Sequence, residues 1–326
     1  MKAILCKEYG PADKLVIEET ASPAVGERDV LVRVRAAGLN FPDTLIIEGK
    51  YQIKPEMPFS PGGEMAGEVI AVGSKVTRYK VGDRVAGLTG YGAFAEEVAV
   101  PESNLLPVPP GMSDEKAAAF TMVYGTSYYA LKQRANLKPG ETLLVLGASG
   151  GVGLATVELG KAMGAHVIAA ASTADKLAVA KQAGADELLN YSEEPLKDAI
   201  KRITDGKGVD VIYDPVGGDF TEQALRGMAW NGRHLIIGFA AGDIPKIPAN
   251  LTLLKGCSVV GVFWGAFTRK EPEESLRNMM ELMKLYQDGK IDPKVSEVFA
   301  FEQYEQALGA LTGRRATGKV VLKVSG

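Results

Sequence analysis

Thr142 to Gly153, TLLVLGASGGVG, carries an apolar strand straight into a glycine-rich turn. Leu143 to Leu146 read as a buried parallel strand. Beyond the turn Val152, Ala155, Leu159 and Met163 recur at helical spacing, Gly164 stops the helix, and His166 to Ala171 (HVIAAA) reads as a second buried strand. A strand, turn, helix and strand in that order bring backbone N–H groups to phosphate oxygens at a helix N-terminus, as a dinucleotide pyrophosphate requires. Gly150 permits the close approach, Gly153 lets the following helix lie tight, and Gly151 and Val152 between them are counted with the cofactor-binding residues. Ala148 stands where the pattern G-x-G-x-x-G has its first glycine. Glycine spacing alone is weak in a chain with 38 glycines; the strands and helix around it carry the reading.

With 326 residues and 46% apolar composition, the chain can bury a large core and has the length of about two domains. A formal charge of −3 and the lack of a basic block speak against nucleic acid as a partner. Lys2, Lys7 and Glu8 interrupt the N-terminus, and no apolar run approaches the ~18 residues of a membrane span, so a cytoplasmic protein with no membrane partner is expected. Cys6, Cys257, His166 and His234 each occur alone in an apolar, strand-like segment and read as core residues. None of them has metal-ligand spacing, so no metal is expected.

The first ~120 residues alternate β-branched runs (Val30 to Val34, Glu68 to Val72, Arg84 to Ala86, Glu97 to Val100) with Pro and Gly turns, as a compact antiparallel domain does. From about Met122 to Val262 strands and helices alternate, which predicts a parallel sheet. Its further strands are Glu187 to Asn190, Val209 to Asp214, Arg233 to Gly238 and Ser258 to Val262, with helices over Ala174 to Ala183, Pro195 to Thr204 and Phe220 to Met228. Six strands suit a doubly wound nucleotide domain. A helix over Leu276 to Gln287 follows, and Lys319 to Val324 is expected to return as a strand to the first domain. The expected division is therefore a β-rich catalytic domain over 1–121 and 263–326, with a nucleotide domain inserted over 122–262.

At the end of the second strand, where an acidic residue would bind the ribose of NAD, the chain has Ser172. Ser172, Thr173 and Lys176 offer two hydroxyls and a cation to a 2′-phosphate, so NADPH is the expected cofactor. Lys176 can equally be read as a solvated helix residue.

The motifs GLNFPD (Gly38 to Asp43), PGGEMAGEV (Pro61 to Val69), VGDRVAG (Val81 to Gly87), GASGGVG, DPVGG (Asp214 to Gly218) and GKVVL (Gly318 to Leu322) cover the chain nearly end to end. On these the chain resembles the zinc-free quinone oxidoreductase branch of the medium-chain dehydrogenase/reductases. The resemblance implies an α/β architecture, with a Rossmann nucleotide domain inserted in a GroES-like catalytic domain. At the catalytic-zinc ligands of the alcohol dehydrogenases in that superfamily it aligns Asn40, Gly63 and Met122, none able to replace them. It further implies that Asn40 and Thr126 lie against the nicotinamide ribose and ring. Gly238, Phe239 and the segment from Val262 to Gly265, with Phe263 and Trp264, would line the ring's pocket, and Tyr191 would lie near the 2′-phosphate with Lys176. Asn40 can also be read as a turn cap, and the two aromatics as core or dimer packing. A homodimer, paired through the Cys257 to Val262 edge, is implied as well.

Without a metal to polarise an alcohol oxygen, the favoured chemistry is hydride donation from NADPH to an electrophilic conjugated carbonyl, a quinone or an enone. Some relatives have a tyrosine at the position of Leu45; Tyr51 is the nearby candidate here. The stretch EGKYQIKPEMP around it resembles the one that holds the proton-donating tyrosine of 2-enoyl thioester reductases. Tyr51 and Asn40 are the catalytic candidates, Tyr51 being equally readable as a packed loop residue. An acyl-CoA reductase is the alternative, for which Lys50, Lys54, Arg314, Arg315 and Lys319 would form a basic lip. A nucleotide-binding protein with little turnover is a third reading.

Overall fold

A computed structural model of the chain describes residues 1–325. In chain order it runs β1 (Lys2–Leu5), β2 (Val16–Glu19), β3 (Asp29–Gly38), α1 (Phe41–Ile47), β4 (Glu64–Val72), β5 (Arg84–Leu88), β6 (Glu97–Pro101), β7 (Leu105–Pro107) and α2 (Asp114–Ala118). Next come α3 (Thr121–Tyr129), β8 (Thr142–Leu146), α4 (Gly151–Ala162), β9 (His166–Ala171), α5 (Ala174–Gln182), β10 (Glu187–Asn190), α6 (Leu196–Ile203), β11 (Val209–Asp214) and α7 (Asp219–Arg226). The chain continues with β12 (Met228–Ile236), α8 (Ala249–Lys255), β13 (Ser258–Gly261), α9 (Trp264–Lys270), α10 (Pro272–Gln287), β14 (Val295–Ala300), α11 (Tyr304–Thr312) and β15 (Lys319–Lys323). Two compact units result, one of Met1–Met122 with Pro293–Gly326, the other of Val123–Asp292.

The second unit is built on a six-stranded sheet of order β10-β9-β8-β11-β12-β13, every neighbouring pair parallel. That is the doubly wound order, in which the chain reverses direction across the sheet beside β8. Its strands are apolar because helices cover both faces: Leu143, Leu144 and Val145 are fully buried, as are Val167 to Ala170.

In the first unit β3 is central to a seven-stranded sheet of order β14-β15-β3-β4-β5-β7, with β6 also on β3. Val30, Val32 and Val34 are fully buried along it. As expected, the strand at Lys319 joins this sheet, pairing antiparallel with β3 through Val321 and Gly38. A Cβ on Gly38 would stand 2.0 Å from the Ala118 carbonyl oxygen, so α2 closes on the end of β3 only because that residue has no side chain.

The structure departs from the sequence reading in four places. Residues 263–292, expected in the β-rich domain, belong to the second unit. Their helices are held there by ring stacking of Phe267 on Tyr129 at 4.1 Å and by Tyr128 and Lys132, both bonded to Glu281. His166 is not a core residue; it heads β9 with a half-exposed side chain 3.6 Å from Asp186, while Cys6, Cys257 and His234 are buried. β12 starts five residues before Arg233, through a bulge in its pairing with β11 where Asn231 has φ +60°. Finally, α1, α2, α3, α8, α9 and α11 form in segments where no helix was expected. No helix among the described residues is long and apolar enough to cross a membrane.

Candidate active site

In the second unit the turn after β8 is shaped by three glycines with different duties. Gly147 takes φ +59°, the left-handed conformation that a side chain resists, one residue ahead of Ala148. Ala148 is buried and its N–H is bonded to Ala170 O at 3.0 Å, so the alanine fits where the common pattern has glycine. A Cβ on Gly153 would come within 2.3 Å of Gly147 O and 2.8 Å of Ala148 Cα, both main-chain atoms. On Gly150, the N-cap of α4, a Cβ would meet only Gly147 O at 3.5 Å. The 12-residue helix α4 therefore opens with bare backbone at its positive end, a cradle that a dinucleotide pyrophosphate fits. Behind it, Val152 O accepts from Ser127 Oγ at 3.2 Å and Thr156 Oγ1 at 2.7 Å, and Ser127 Oγ also meets Tyr213 OH at 3.0 Å. Thr126, half-buried beside Ser127 on α3, is thereby anchored to the same turn.

At the end of β9 the three residues expected at a 2′-phosphate come together. Lys176 Nζ donates to Ser172 Oγ at 3.4 Å, and Thr173, the N-cap of α5, accepts from Lys176 N at 3.3 Å. Tyr191 N–H donates to Ala171 O at 3.2 Å, which lays Tyr191 alongside Ser172, and its ring packs on Phe220 at 4.6 Å. No acidic side chain occupies the end of that strand.

A second loop, Asp214 to Gly218, is ordered by one buried carboxylate. Asp214 accepts from Val216 N at 2.9 Å, Gly217 N at 2.8 Å, Thr221 Oγ1 at 2.7 Å and His234 Nε2 at 3.0 Å. Burial alone would raise its pKa; the His234 ring and the loop's donors outweigh that and hold it below the usual carboxylate range. A Cβ on Gly147 would lie 3.1 Å from Val216 Cγ2, so this loop and the glycine turn are packed together. Residues 237–241 run beside it: Ile237 N bonds Asp214 O at 3.0 Å and Ala241 N bonds Val216 O at 2.8 Å. That places Gly238 and the partly exposed Phe239 next to Gly217. The two aromatics after β13 diverge: Phe263 is 55% exposed, whereas Trp264 is buried, its ring filling the space a Gly125 side chain would need.

In the first unit Asn40 is the N-cap of α1, but its side chain does not cap the helix. Asn40 Nδ2 donates to Glu64 Oε1 at 2.9 Å and Gly38 O at 3.2 Å, while Oδ1 accepts from Lys319 Nζ at 2.7 Å. Lys319 also donates to Leu39 O at 2.9 Å and forms an ion pair with Glu64 Oε1, its partner across 255 residues of sequence. Glu64 Oε2 accepts from Met122 N at 2.9 Å. Asp43 Oδ2 accepts from Asn40 N at 2.7 Å. Burial pushes the Asp43 carboxyl up to about 7, against the lowering pull of the Asn40 amide and the Lys319 ammonium. A Cβ on Gly63 would sit 3.3 Å from Met122 Cε and 3.5 Å from Asp43 Oδ1. Asn40, Gly63 and Met122 thus gather around Glu64 and Asp43, and among the described residues no group of three His, Cys, Asp or Glu is placed to hold a metal ion.

Tyr51 lies beyond the other end of α1, half-buried against the first unit's core. The seven residues of α1 put roughly 10 Å of helix between Asn40 and the loop that holds it. Lys319 cannot belong to a basic lip, since it is 4% exposed and its three donors are engaged; Lys50, Lys54, Arg314 and Arg315 are exposed. Glu64, Asp43, Asp214 and His234 were missed as site-building residues. The available signal was charge at the margin of an apolar strand: Glu64 opens EMAGEVIAV, Asp214 ends VDVIYD and Lys319 opens KVVLK.

A parallel dinucleotide sheet inserted in an antiparallel β unit defines the class of medium-chain dehydrogenases, and sequence models agree. The alcohol dehydrogenase GroES-like domain matches residues 26–110, and the zinc-binding dehydrogenase domain matches residues 151–284. A quinone oxidoreductase-like protein 2 homolog of Nematostella vectensis is 43% identical over 98% of this chain and 88% of its own. The quinone oxidoreductase of Pseudomonas aeruginosa is 38% identical over 98% and 99%. The Escherichia coli quinone oxidoreductase crystallised with NADPH superposes with a TM-score of 0.92 at 31% identity, covering 99% of this chain and 100% of that one. The chain belongs to the quinone oxidoreductase branch of the medium-chain dehydrogenase/reductases.

Proposed function

We propose that the chain is an NADPH-dependent reductase that passes hydride to a quinone or another conjugated carbonyl, such as an enone, without a bound metal. The observation that carries the reading is the bare backbone at the start of α4 together with Ser172, Thr173 and Lys176 at the end of β9, where the strand ends in a serine instead of the carboxylate that would favour NAD. The cofactor supplies the hydride when bound. Gly150, Gly151, Val152 and Gly153 take the pyrophosphate, Ser172, Lys176 and Tyr191 the 2′-phosphate, and Thr126, Gly238, Phe239 and Phe263 the nicotinamide. Buried Trp264 supports α3 through Gly125 rather than touching the ring. Asn40 contacts the reactants, and Tyr51 is the candidate proton donor, a phenol being able to hand a proton to an enolate carbon. Two copies pair through β13, the outermost strand of its sheet, where Val259 is exposed.

Following NADPH absorbance with benzoquinone, an enone and crotonyl-CoA as acceptors tests the reading. Oxidation with benzoquinone or the enone, at least about tenfold better with NADPH than NADH, is the expected result. Consumption with crotonyl-CoA alone would make the chain an enoyl thioester reductase. Cofactor binding with no acceptor reduced would make it a nucleotide-binding protein, and turnover that needs added zinc would overturn the metal-free chemistry. Tyr51→Phe with unchanged turnover removes the phenol as an obligatory donor, and sedimentation as a monomer at micromolar concentration removes the β13 pairing.

A further inference from the structure

Three hydroxyls are buried together behind the first turn of α4: Ser127 of α3, Thr156 of α4 and Tyr213 of β11, each fully buried. Each has one hydrogen to give, and the acceptors within reach decide where it goes. Thr156 Oγ1 stands 2.7 Å from Val152 O, which can only accept, so the Thr156 hydrogen goes there. The 2.9 Å contact between Thr156 and Ser127 is then donated by Ser127, and the 3.0 Å contact between Ser127 and Tyr213 by the phenol. Burial pushes the Tyr213 phenol up to about 12, against the lowering pull of the Ser127 and Thr156 hydroxyls, so it keeps its hydrogen at neutral pH. The result is a chain of one direction, Tyr213 to Ser127 to Thr156 to Val152 O, in which each bond polarises the next. Ser127 Oγ also lies 3.2 Å from the same carbonyl, so either use of its hydrogen ends on Val152.

Hydroxyls are a costly filling for a buried corner, since each must find a partner or forfeit its hydration. These three converge on one main-chain oxygen, in a turn whose own ladder is incomplete. The first helical bond runs from Leu154 N to Gly150 O at 2.8 Å, so the N–H groups of Gly151 and Val152 lie ahead of it, both on partly exposed residues. Val152 therefore has its carbonyl fixed from inside the unit while its amide has no helical partner.

We infer that Ser127, Thr156 and Tyr213 are positioning residues that lock the first turn of α4 to α3 and β11, so that its N–H groups are set for a diphosphate before one arrives. The inference rests on the proposed reading that α4 receives the pyrophosphate, and all the residues it uses belong to the second unit. It also separates that unit's two anion sites. The hydroxyl chain braces the start of α4, whereas Ser172, Thr173 and Lys176 at the end of β9 are held by bonds of their own. Loss of the chain should therefore weaken the hold on a nucleotide's diphosphate, whose partners must then be ordered on binding, and spare the hold on its 2′-phosphate.

Binding of two ligands to the full chain tests it: NADPH, followed by its fluorescence, and adenosine 2′-phosphate, which has no diphosphate, as its competitor. The triple variant Ser127→Ala with Thr156→Val and Tyr213→Phe removes every hydroxyl at once and nearly keeps the shape of the corner, so no buried donor is stranded. Its NADPH dissociation constant is expected to rise about tenfold, and that of adenosine 2′-phosphate to stay within about twofold. An equal loss for both ligands, or no loss for NADPH, overturns the inference. Should the triple variant fail to fold, or the fragment bind too weakly to follow, Thr156→Val and Thr156→Ser decide on NADPH alone. A loss of about threefold or more in the first, with the second within about twofold of native because it keeps the hydroxyl, supports the inference. Equal affinities in the two overturn it. A native chain with no affinity for NADPH overturns the functional reading as well; one that binds NADPH while the triple variant binds it equally well overturns this inference alone.

Discussion

The glycine turn after β8 and the polar knot around Asn40 are opposite ways of building a site. The turn presents main chain, and what matters is what has been left out: a Cβ on Gly153 would be 2.3 Å from a carbonyl oxygen. The knot presents side chains, and what matters is that no polar atom is left over: Lys319 alone satisfies Leu39, Asn40 and Glu64. At Gly153 the first tolerates no addition, and the second tolerates no subtraction, so they should respond to different substitutions and to different measurements.

The largest effect should come from subtraction in the knot. Lys319→Met leaves the Glu64 carboxylate buried and unpaired and should cost about 3–5 kcal/mol in denaturant unfolding, most of it restored by adding Glu64→Gln. A loss under about 1 kcal/mol in the single variant would mean that the knot relaxes. Proton uptake at Asp43 comes next. Its carboxyl titrates near 7 when folded and near 4 when unfolded, so the folded chain holds the proton more tightly. The stability it contributes is whole below about pH 4 and is lost as pH rises towards 7, by up to about 1.4 kcal/mol per pH unit. Melting curves of the native chain and Asp43→Asn across that range should therefore diverge in favour of the variant as pH rises; parallel curves would remove Asp43 from the account.

Addition to the turn should follow. Gly153→Ala forces main-chain atoms apart and should destabilise by about 1–3 kcal/mol while weakening NADPH binding. The smallest stability effect belongs to Gly150→Ala, where φ is −77° and the nearest atom is 3.5 Å away, within about 0.5 kcal/mol of native. Its NADPH affinity should nevertheless fall about tenfold, because the methyl group occupies the phosphate's approach. Unchanged affinity in isothermal titration would show that the pyrophosphate does not lie there.

The same contrast governs what the sequence made legible. Elements 166–171, 187–190 and 209–214 were readable to the residue and 142–146 to within one, because the central parallel strands are dominated by apolar residues covered on both faces, and the helices between them keep a 3.6 period. The glycine turn was legible for a similar reason, being local; its left-handed residue is Gly147, just ahead of Ala148. Asn40 was marked, but only by family likeness. Its partners Glu64 and Lys319 lie 24 and 279 residues away, and no local pattern records such a meeting. The placement of α9 and α10 was misjudged because what fixes them, Tyr128 and Lys132 on Glu281 and Tyr129 on Phe267, is likewise long-range. Trp264 illustrates the last difficulty: an aromatic beside an exposed one is buried because Gly125, more than a hundred residues earlier, leaves it room.

The ion pair spanning 255 residues also sets an order of events during synthesis. The second unit is one continuous stretch and can fold as soon as it clears the ribosome, whereas Glu64 must wait for Lys319, and β3 for β15, until the whole of that stretch has been made. Until then the half-made first unit carries a lone buried-to-be carboxylate and an open strand edge, the very surfaces that chaperones patrol. A stalled or truncated transcript lacking the 319–323 strand would therefore release a protein whose nucleotide unit is sound and whose other unit is not.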